Sequence, residues 1–182
     1  MAKNAGKTVT LNFLIDAFRR REVSLALTSI GRDGERVDIV TKTEKPPIFV
    51  YKDTVIATAE KLLRFCDITK KILQVTNINT PMGRIVLVQA LSDGFVQLGG
   101  PSITTQIYDL MKDIPVDKII VDGAIDRKTL ANPGVTEATV LCTGASYSKS
   151  MQKTIEDTRH TVSMFMLPEF EPASGLGDHK KL

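Results

Sequence analysis

The 182-residue sequence contains only two cysteines, Cys66 and Cys142, and they stand far apart in apolar stretches. Neither belongs to a Cys-x-x-Cys pair, which argues against a disulfide framework or a zinc site. We therefore expect two buried free thiols in a reducing compartment. The two histidines, His160 and His179, have no neighbours at metal-ligand spacing, so we expect them to be structural or solvated.

Long apolar stretches and a strong charge imbalance are also absent. No stretch approaches the roughly 18 apolar residues of a membrane span, and the amino terminus lacks the apolar region of a signal peptide. The formal net charge is +3, with acidic and basic residues mixed along the chain. This charge is too mild and dispersed to indicate nucleic acid or an anionic membrane as a partner. We expect a cytoplasmic protein with one globular domain over residues 1–168 and a flexible tail over 169–182.

Hydrophobic periodicity predicts alternating helices and strands. The predicted helices cover residues 7–21, 54–65, 103–111 and 148–158, and the predicted strands cover 23–30, 48–51, 72–75, 85–91, 95–98, 118–121, 139–142 and 160–166. The turn Ser92-Asp93-Gly94 predicts an antiparallel hairpin between the strands on either side of it. This order predicts an α/β fold with a mostly parallel sheet, flanking helices and an antiparallel hairpin. Within this class, the motif Gly6-Lys7-Thr8 favours the P-loop NTPase type.

The amino-terminal residues Lys3-Asn4-Ala5-Gly6-Lys7-Thr8 lead into the first predicted helix and resemble a phosphate-binding P-loop. In such a loop, backbone N–H groups surround the phosphates, here from Asn4, Ala5, Gly6, Lys7 and Thr8. The lysine contacts the β and γ phosphates, and the hydroxyl of Thr8 binds Mg²⁺. A complete loop begins with a glycine that would fall on Met1, after a strand that would precede it. We therefore expect either a shortened amino terminus or an incomplete site.

Acidic residues after two strands extend this hypothesis. Asp122 ends the apolar run from Lys118, which is typical of a Walker B strand whose carboxylate holds Mg²⁺. We expect this strand to be central in the sheet and Asp122 to lie beside Lys7. Asp33, with Lys7, is a candidate catalytic residue, because Asp33 and Glu35 follow a strand and could orient the attacking water. A solvated turn is the alternative for Asp33 and Glu35, and a solvated strand end is the alternative for Asp122.

Six segments together resemble the landmarks of one family. They cover residues 2–8, 28–35, 43–46, 94–101, 121–127 and 141–145, and the most specific are Gly31-Arg32-Asp33-Gly34-Glu35 and Asp122-Gly123-Ala124-Ile125-Asp126-Arg127. The family is the P-loop protein encoded with adenosylcobalamin-dependent lysine 5,6-aminomutase, described as a subunit of its reactivase. The resemblance runs from residue 2 to about Pro168. It extends more broadly to the P-loop class that includes dethiobiotin synthetase.

The resemblance implies ATP and Mg²⁺ as ligands, and a role in ATP-driven release of damaged cobalamin from the aminomutase. The implied partner is the aminomutase itself or a companion reactivase subunit, and a homodimer stays open. Asp33, Glu35 and Asp126-Arg127 would sense the γ-phosphate or signal to that partner. No Asp-x-His-x-x-Gly signature is present, so the chain itself is not expected to hold cobalamin. Family members carry a strand and a glycine before the position of Ala2.

Two other functions are consistent with the same residues. The first is a biosynthetic enzyme of the dethiobiotin synthetase type, which uses ATP to phosphorylate a small acid. Arg32 or Arg127 would then be the basic residue near the γ-phosphate. The second is a non-catalytic interaction module with a degenerate P-loop, a hypothesis favoured by Met1 at the position of the first glycine. ATPase activity is therefore left open.

Overall fold

The computed structural model describes residues 5–31, 47–112, 114–123 and 136–167. In chain order its elements are α1 (Lys7–Arg20), β1 (Leu25–Ser29), β2 (Ile48–Val50), β3 (Val55–Ala59), a 3-10 helix (Glu60–Phe65), β4 (Lys70–Thr80), β5 (Gly83–Ala90), β6 (Gly94–Val96), α2 (Thr104–Lys112), β7 (Lys118–Asp122) and α3 (Met151–Phe165). Within these ranges, no helix has the length and apolar character required to cross a membrane. The predicted tail over 169–182 lies outside the described residues.

Five strands form one sheet in the order β4-β5-β3-β1-β7. Strand β1 runs parallel to both β3 and β7, whereas β5 runs antiparallel to β3 and to β4. Four of the five strands therefore point the same way. Strands β2 and β6 form a separate antiparallel pair. The predicted α/β class with a mostly parallel sheet is confirmed.

Strand β1 lies in the middle of the core, and all five of its residues are buried. Its Leu25 and Leu27 pack with Leu11 and Ile15 of α1 on one face of the sheet. On the other face, Ala26 belongs to the cluster that includes Leu110 of α2. A strand covered on both faces must be apolar throughout, which explains the unbroken hydrophobic run. Each fully buried aliphatic side chain contributes roughly 1.5–3 kcal/mol to stability.

The predicted helix over 54–65 is wrong. Its first half is strand β3, and its second half is the 3-10 helix. The apolar residues of this segment match a helical face, but Val55, Ile56 and Thr58 are β-branched and favour extended backbone. All residues of β3 are buried, as expected for a strand covered on both faces rather than for a helix with one apolar stripe.

The predicted hairpin around Asp93-Gly94 is also wrong. Strand β6 leaves the main sheet and pairs with β2, where the rings of Phe49 and Phe95 meet edge to face with centroids 5.1 Å apart. The observed hairpin joins β4 to β5 through Pro81-Met82, with Thr80 paired to Gly83. Gly83 has φ 99°, a conformation that glycine tolerates best. The sequence Pro81-Met82-Gly83 is typical of a turn, since proline and glycine both favour turn conformations.

At the carboxyl end, residues 160–166 are not a strand. Residues 160–165 continue α3, which begins at Met151. Its N-cap is Ser150, whose Oγ accepts a hydrogen bond from the backbone N–H of Lys153 at 3.3 Å. No proline or glycine interrupts the helix before Pro168, so a run with alternating polarity stays helical. Residues 139–142, predicted to be a strand, have no regular secondary structure.

Candidate functional site

Helix α1 begins at a glycine in the left-handed conformation. Gly6, at φ 84° and ψ 9°, precedes the first helical residue, and its carbonyl accepts the hydrogen bond from Thr10 N–H at 2.9 Å. A side chain added to Gly6 would meet no atom within 4 Å, so the backbone angle, not space, favours glycine here. Among the described residues, no side chain caps this end of α1, and its first turn carries no acidic residue. The first-turn N–H groups give this end a partial positive charge.

Lys7 and Asp122 line the same cavity, which has a volume of about 590 Å³. Lys7 is the first residue of α1, and Asp122 is the last residue of β7. Ala5 and Gly6 precede Lys7 in the chain, and Thr8, which is half-buried, follows it. The structure thus places the predicted lysine and the predicted metal-binding carboxylate in the lining of one cavity.

Asp122 is fixed by the strand beside it. It pairs in register with Ser29, and its carbonyl accepts a hydrogen bond from Ile30 N–H at 3.0 Å. Within the described part of the chain, β7 is the last strand of the sheet rather than a central one. Asn4, Asp33 and the other predicted site residues (Arg32, Glu35, Asp126, Arg127) lie outside the described residues.

A divalent cation has few protein ligands here. The described residues contain no group of three or more His, Cys, Asp or Glu side chains that could hold a metal ion. Mg²⁺ commonly uses one or two protein oxygens together with phosphate and water oxygens. The carboxylate of Asp122, which lines the cavity, and the hydroxyl of Thr8, which is not among the cavity-lining residues, are oxygen donors of that kind.

At the opposite end of β7, Asp117 and Ser24 hold each other through three hydrogen bonds. Ser24 donates its Oγ–H and its backbone N–H to Asp117 Oδ2, at 2.6 and 2.9 Å, and Asp117 N–H donates to Ser24 Oγ at 2.8 Å. The hydroxyl bond of Ser24, followed by its N–H bond, lowers the pKa of Asp117. This pair fixes the start of β7 against the start of β1. The sequence prediction did not identify it, because the two residues are far apart in the chain.

Residues 136–142 form the far wall of the cavity. The Nζ of Lys118 lies 2.6 Å from Glu137 Oε2, and this contact lowers the pKa of the glutamate. At the other end of the segment, the thiol of Cys142 donates to Thr10 Oγ1 at 3.5 Å. Both cysteines are free thiols as predicted, although Cys142 is only partly buried. Between these two anchors the lining is mainly apolar, from α1, β7 and Phe165.

The cavity therefore has an apolar body beside β7, a charged end at Lys7 and Asp122, and the ion pair between Lys118 and Glu137 at its other end. The charged end has the cation, the carboxylate and the helix N-terminus that a phosphate with a metal ion requires. No family model, curated protein or solved structure matches this chain. The functional proposal consequently depends on these site residues and on the resemblance of the sequence segments.

Proposed function

We propose that this chain is a nucleotide-binding P-loop protein that binds Mg·ATP at the charged end of the cavity. One observation carries the proposal. A left-handed Gly6 leads into α1, whose start has no side-chain cap in the described part of the chain. The first residue of α1, Lys7, shares a cavity with Asp122. Each feature is common alone, but the combination supplies N–H donors, a cation and a carboxylate around one cavity.

Each residue has a distinct role in this proposal. The first-turn N–H groups of α1 donate to phosphate oxygens, and the helix dipole adds to the attraction. The ammonium group of Lys7 neutralises the β and γ phosphates. Thr8 and Asp122 hold Mg²⁺, which bridges phosphate oxygens and spreads the negative charge of the triphosphate.

The finer part of the proposal is that ATP binding assists reactivation of an adenosylcobalamin-dependent aminomutase, directly or with a companion reactivase subunit. It is supported by the family resemblance of the sequence segments. ATP drives such a cycle only if it binds one conformation of the protein more tightly than the other. The carboxyl end of β1 and Asp122 share a hydrogen bond, so a metal-bound phosphate at Asp122 would act directly on this part of the sheet.

Calorimetric titration with Mg·ATP tests the binding site. We expect Lys7→Ala to weaken binding by roughly 2–4 kcal/mol, about 30- to 1000-fold, because a charge-assisted contact in a partly desolvated site is lost. Lys153→Ala is the matched control, since Lys153 is an exposed lysine in the first turn of α3. It should leave affinity unchanged.

Equal affinities for the Lys7→Ala and Lys153→Ala proteins would reject the site. If Mg·ATP binds as expected, addition of the protein to a turnover-inactivated aminomutase, with any companion subunit, tests the reactivase role. Regained activity that Lys7→Ala abolishes supports that role. ATP-dependent phosphorylation of small carboxylic acids without the aminomutase would instead indicate an enzyme of the dethiobiotin synthetase type, and no binding of Mg·ATP would indicate an interaction module.

A further inference from the structure

Helix α3 turns a polar face toward the rest of the protein. Its half-buried residues are Thr154, Asp157, Thr158 and Thr161. The hydroxyl of Thr158 lies 3.1 Å from that of Thr143, and the hydroxyl of Tyr147 donates to Asp157 Oδ2 at 3.1 Å. None of the 15 residues of α3 is buried. Since a surface helix normally packs an apolar stripe against the core, the packing of α3 is the reverse of the usual one.

The large apolar side chains of α3 lie on a different, exposed face. They follow one another at three- to seven-residue steps, a spacing that places them along one side of a helix. Their exposed fractions range from 43% to 79%, and the residues are Met151, Ile155, Val162, Phe165 and the C-cap Met166. Phe165 also lines the cavity, so one end of this set borders the candidate site. We call these five residues the α3 stripe.

The α3 stripe is large enough for a stable protein interface. With roughly 150–200 Å² of surface per large side chain, the exposed fractions correspond to about 500 Å² of apolar surface. The largest apolar patch on a typical monomer measures about 300–600 Å² and is often functional. A standard interface buries about 800 Å² on each partner, and roughly 60% of that area is apolar. The stripe thus supplies the apolar part of one such interface.

The charges of α3 favour a protein over a lipid surface as the occupant of the stripe. Lys153 and Arg159 are balanced by Glu156 and Asp157, so the helix carries no net charge. A helix that lies on an anionic membrane is instead rich in lysine and arginine on its polar face. A neutral helix also brings no net charge repulsion when it packs against a second copy of itself.

The α3 stripe is complementary to itself in an antiparallel arrangement. Met151 and Phe165 stand seven residues before and after Thr158, and Ile155 and Val162 stand three before and four after it. A two-fold axis near Thr158 therefore brings Met151 of one copy close to Phe165 of the other. The same axis brings Ile155 close to Val162 of the other copy, so apolar side chains meet along the whole stripe.

Two charged residues beside the stripe agree with this arrangement. Glu156 and Arg159 lie three residues apart on one flank of the stripe. The two-fold axis brings Arg159 of each copy close to Glu156 of the other, which gives two ion pairs of opposite charge. In a parallel pair each residue would instead meet its own like-charged counterpart. The sequence of α3 therefore favours the antiparallel pair.

We propose that α3 is a dimerisation surface, on which the α3 helices of two copies of this chain pack antiparallel across a two-fold axis near Thr158. The pairing buries the α3 stripe of both copies. It leaves in place the hydrogen bonds that join Thr158 to Thr143 and Asp157 to Tyr147, because these lie on the inward face of the helix. The dimer goes beyond the proposed function and does not depend on nucleotide binding.

Sedimentation equilibrium of the full chain, without nucleotide, tests the dimer. The chain has a mass of 20.0 kDa. Interfaces of standard size have dissociation constants of about micromolar or tighter, so at about 100 μM we expect twice the mass of the chain. Val162→Glu places a carboxylate in the middle of the stripe and should raise the dissociation constant by about tenfold or more, because the dimer would bury that charge.

Met164→Glu is the matched control. Met164 is 55% exposed, lies two residues from Val162 and faces the opposite side of the helix. It should leave the dissociation constant unchanged, and circular dichroism should show both variants folded. A mass of 20.0 kDa for the unsubstituted chain at about 100 μM would overturn the proposal. A dimer that Val162→Glu leaves intact, or equal weakening by both substitutions, would overturn it as well.

Exchanging the charges tests the antiparallel orientation. Arg159→Glu alone places glutamates together across the two-fold axis, and Glu156→Arg alone places arginines together. Each variant should dimerise about tenfold or more weakly than the unsubstituted chain. An equimolar mixture of the two variants restores both ion pairs and should form mixed dimers. Variants that dimerise as tightly alone as in the mixture would overturn the proposed pairing.

Discussion

Replacing Gly100 by alanine should destabilise the protein severely, although the position lies outside regular secondary structure. An ideal Cβ at Gly100 would lie 1.6 Å from the carbonyl oxygen of Ser29 and 2.8 Å from its carbonyl carbon. Real Cβ contacts are essentially never shorter than 3.0 Å, so the two backbones must separate by about 1.4 Å. The oxygen is part of buried strand β1 and cannot rotate away as a side chain would.

The cost follows from the hydrogen bonds that this separation breaks. Gly31 N–H donates to Pro101 O at 2.9 Å, and Ala59 N–H donates to Gly99 O at 2.8 Å. Lengthening both bonds by more than 1 Å loses two contacts in a buried region, at about 1–3 kcal/mol for each unsatisfied group. We expect a loss of about 2–6 kcal/mol, a large part of the 5–15 kcal/mol typical of a whole domain.

Urea unfolding followed by circular dichroism measures this loss. Gly144→Ala is the control, because a Cβ there would meet no atom within 4 Å, and it should change stability by less than about 0.5 kcal/mol. Because Ser29 pairs with Asp122, the Gly100→Ala protein, where folded, should also bind Mg·ATP more weakly. A loss of less than about 1 kcal/mol would refute the described packing of Gly100 against β1.

Two further predictions concern the ends of α1 and β7. Glu22, at φ 57°, follows α1 in the position that usually holds glycine, and Val23 N–H donates to Phe18 O at 3.1 Å. Because glycine adopts this backbone angle without strain, Glu22→Gly should stabilise the protein by about 0.5–1 kcal/mol. Urea unfolding measures the change, and a loss of stability would contradict the prediction. The hydrogen bonds from Ser24 lower the pKa of Asp117, so their stabilisation is complete above the unfolded pKa near 3.8 and is lost as pH falls through the lower folded pKa. Asp117→Asn should lower the stability of the protein at neutral pH and make that stability fall less below about pH 4. If acidification shifts the urea midpoint of the unsubstituted and Asp117→Asn proteins equally, the prediction is contradicted.

The sequence predicted the parts of the fold that local patterns determine. The helix over 7–21 and the strands over 23–30 and 118–121 agree with α1, β1 and β7 within one or two residues. These segments combine a clear apolar period with polar or glycine-containing boundaries. The helix prediction for residues 54–65 failed because apolar residues at helical spacing can also belong to a fully buried strand followed by a turn of 3-10 helix.

Pairing between strands was less predictable than the strands themselves. Phe95 follows a turn sequence that favours a local hairpin, but it pairs with the distant Phe49, and no local pattern reports that contact. The candidate site shows the same division. The local sequence predicted that Gly6 and Lys7 lie at the start of a helix. The hydrogen bonds from Ser24 to Asp117 and from Cys142 to Thr10 depend on tertiary packing, which no local pattern predicts.

The proposed binding of Mg·ATP at the start of α1 can be tested residue by residue. A titration of the ¹⁵N-labelled chain with Mg·ATP, followed by amide chemical shifts, reports on each backbone N–H separately. We predict saturable shifts at Gly6, Lys7 and Thr8 and at Asp122 and Gly123, with much smaller shifts along β4 and β5. Saturable shifts confined to other parts of the chain, or no saturable shifts, would contradict the assignment of this site.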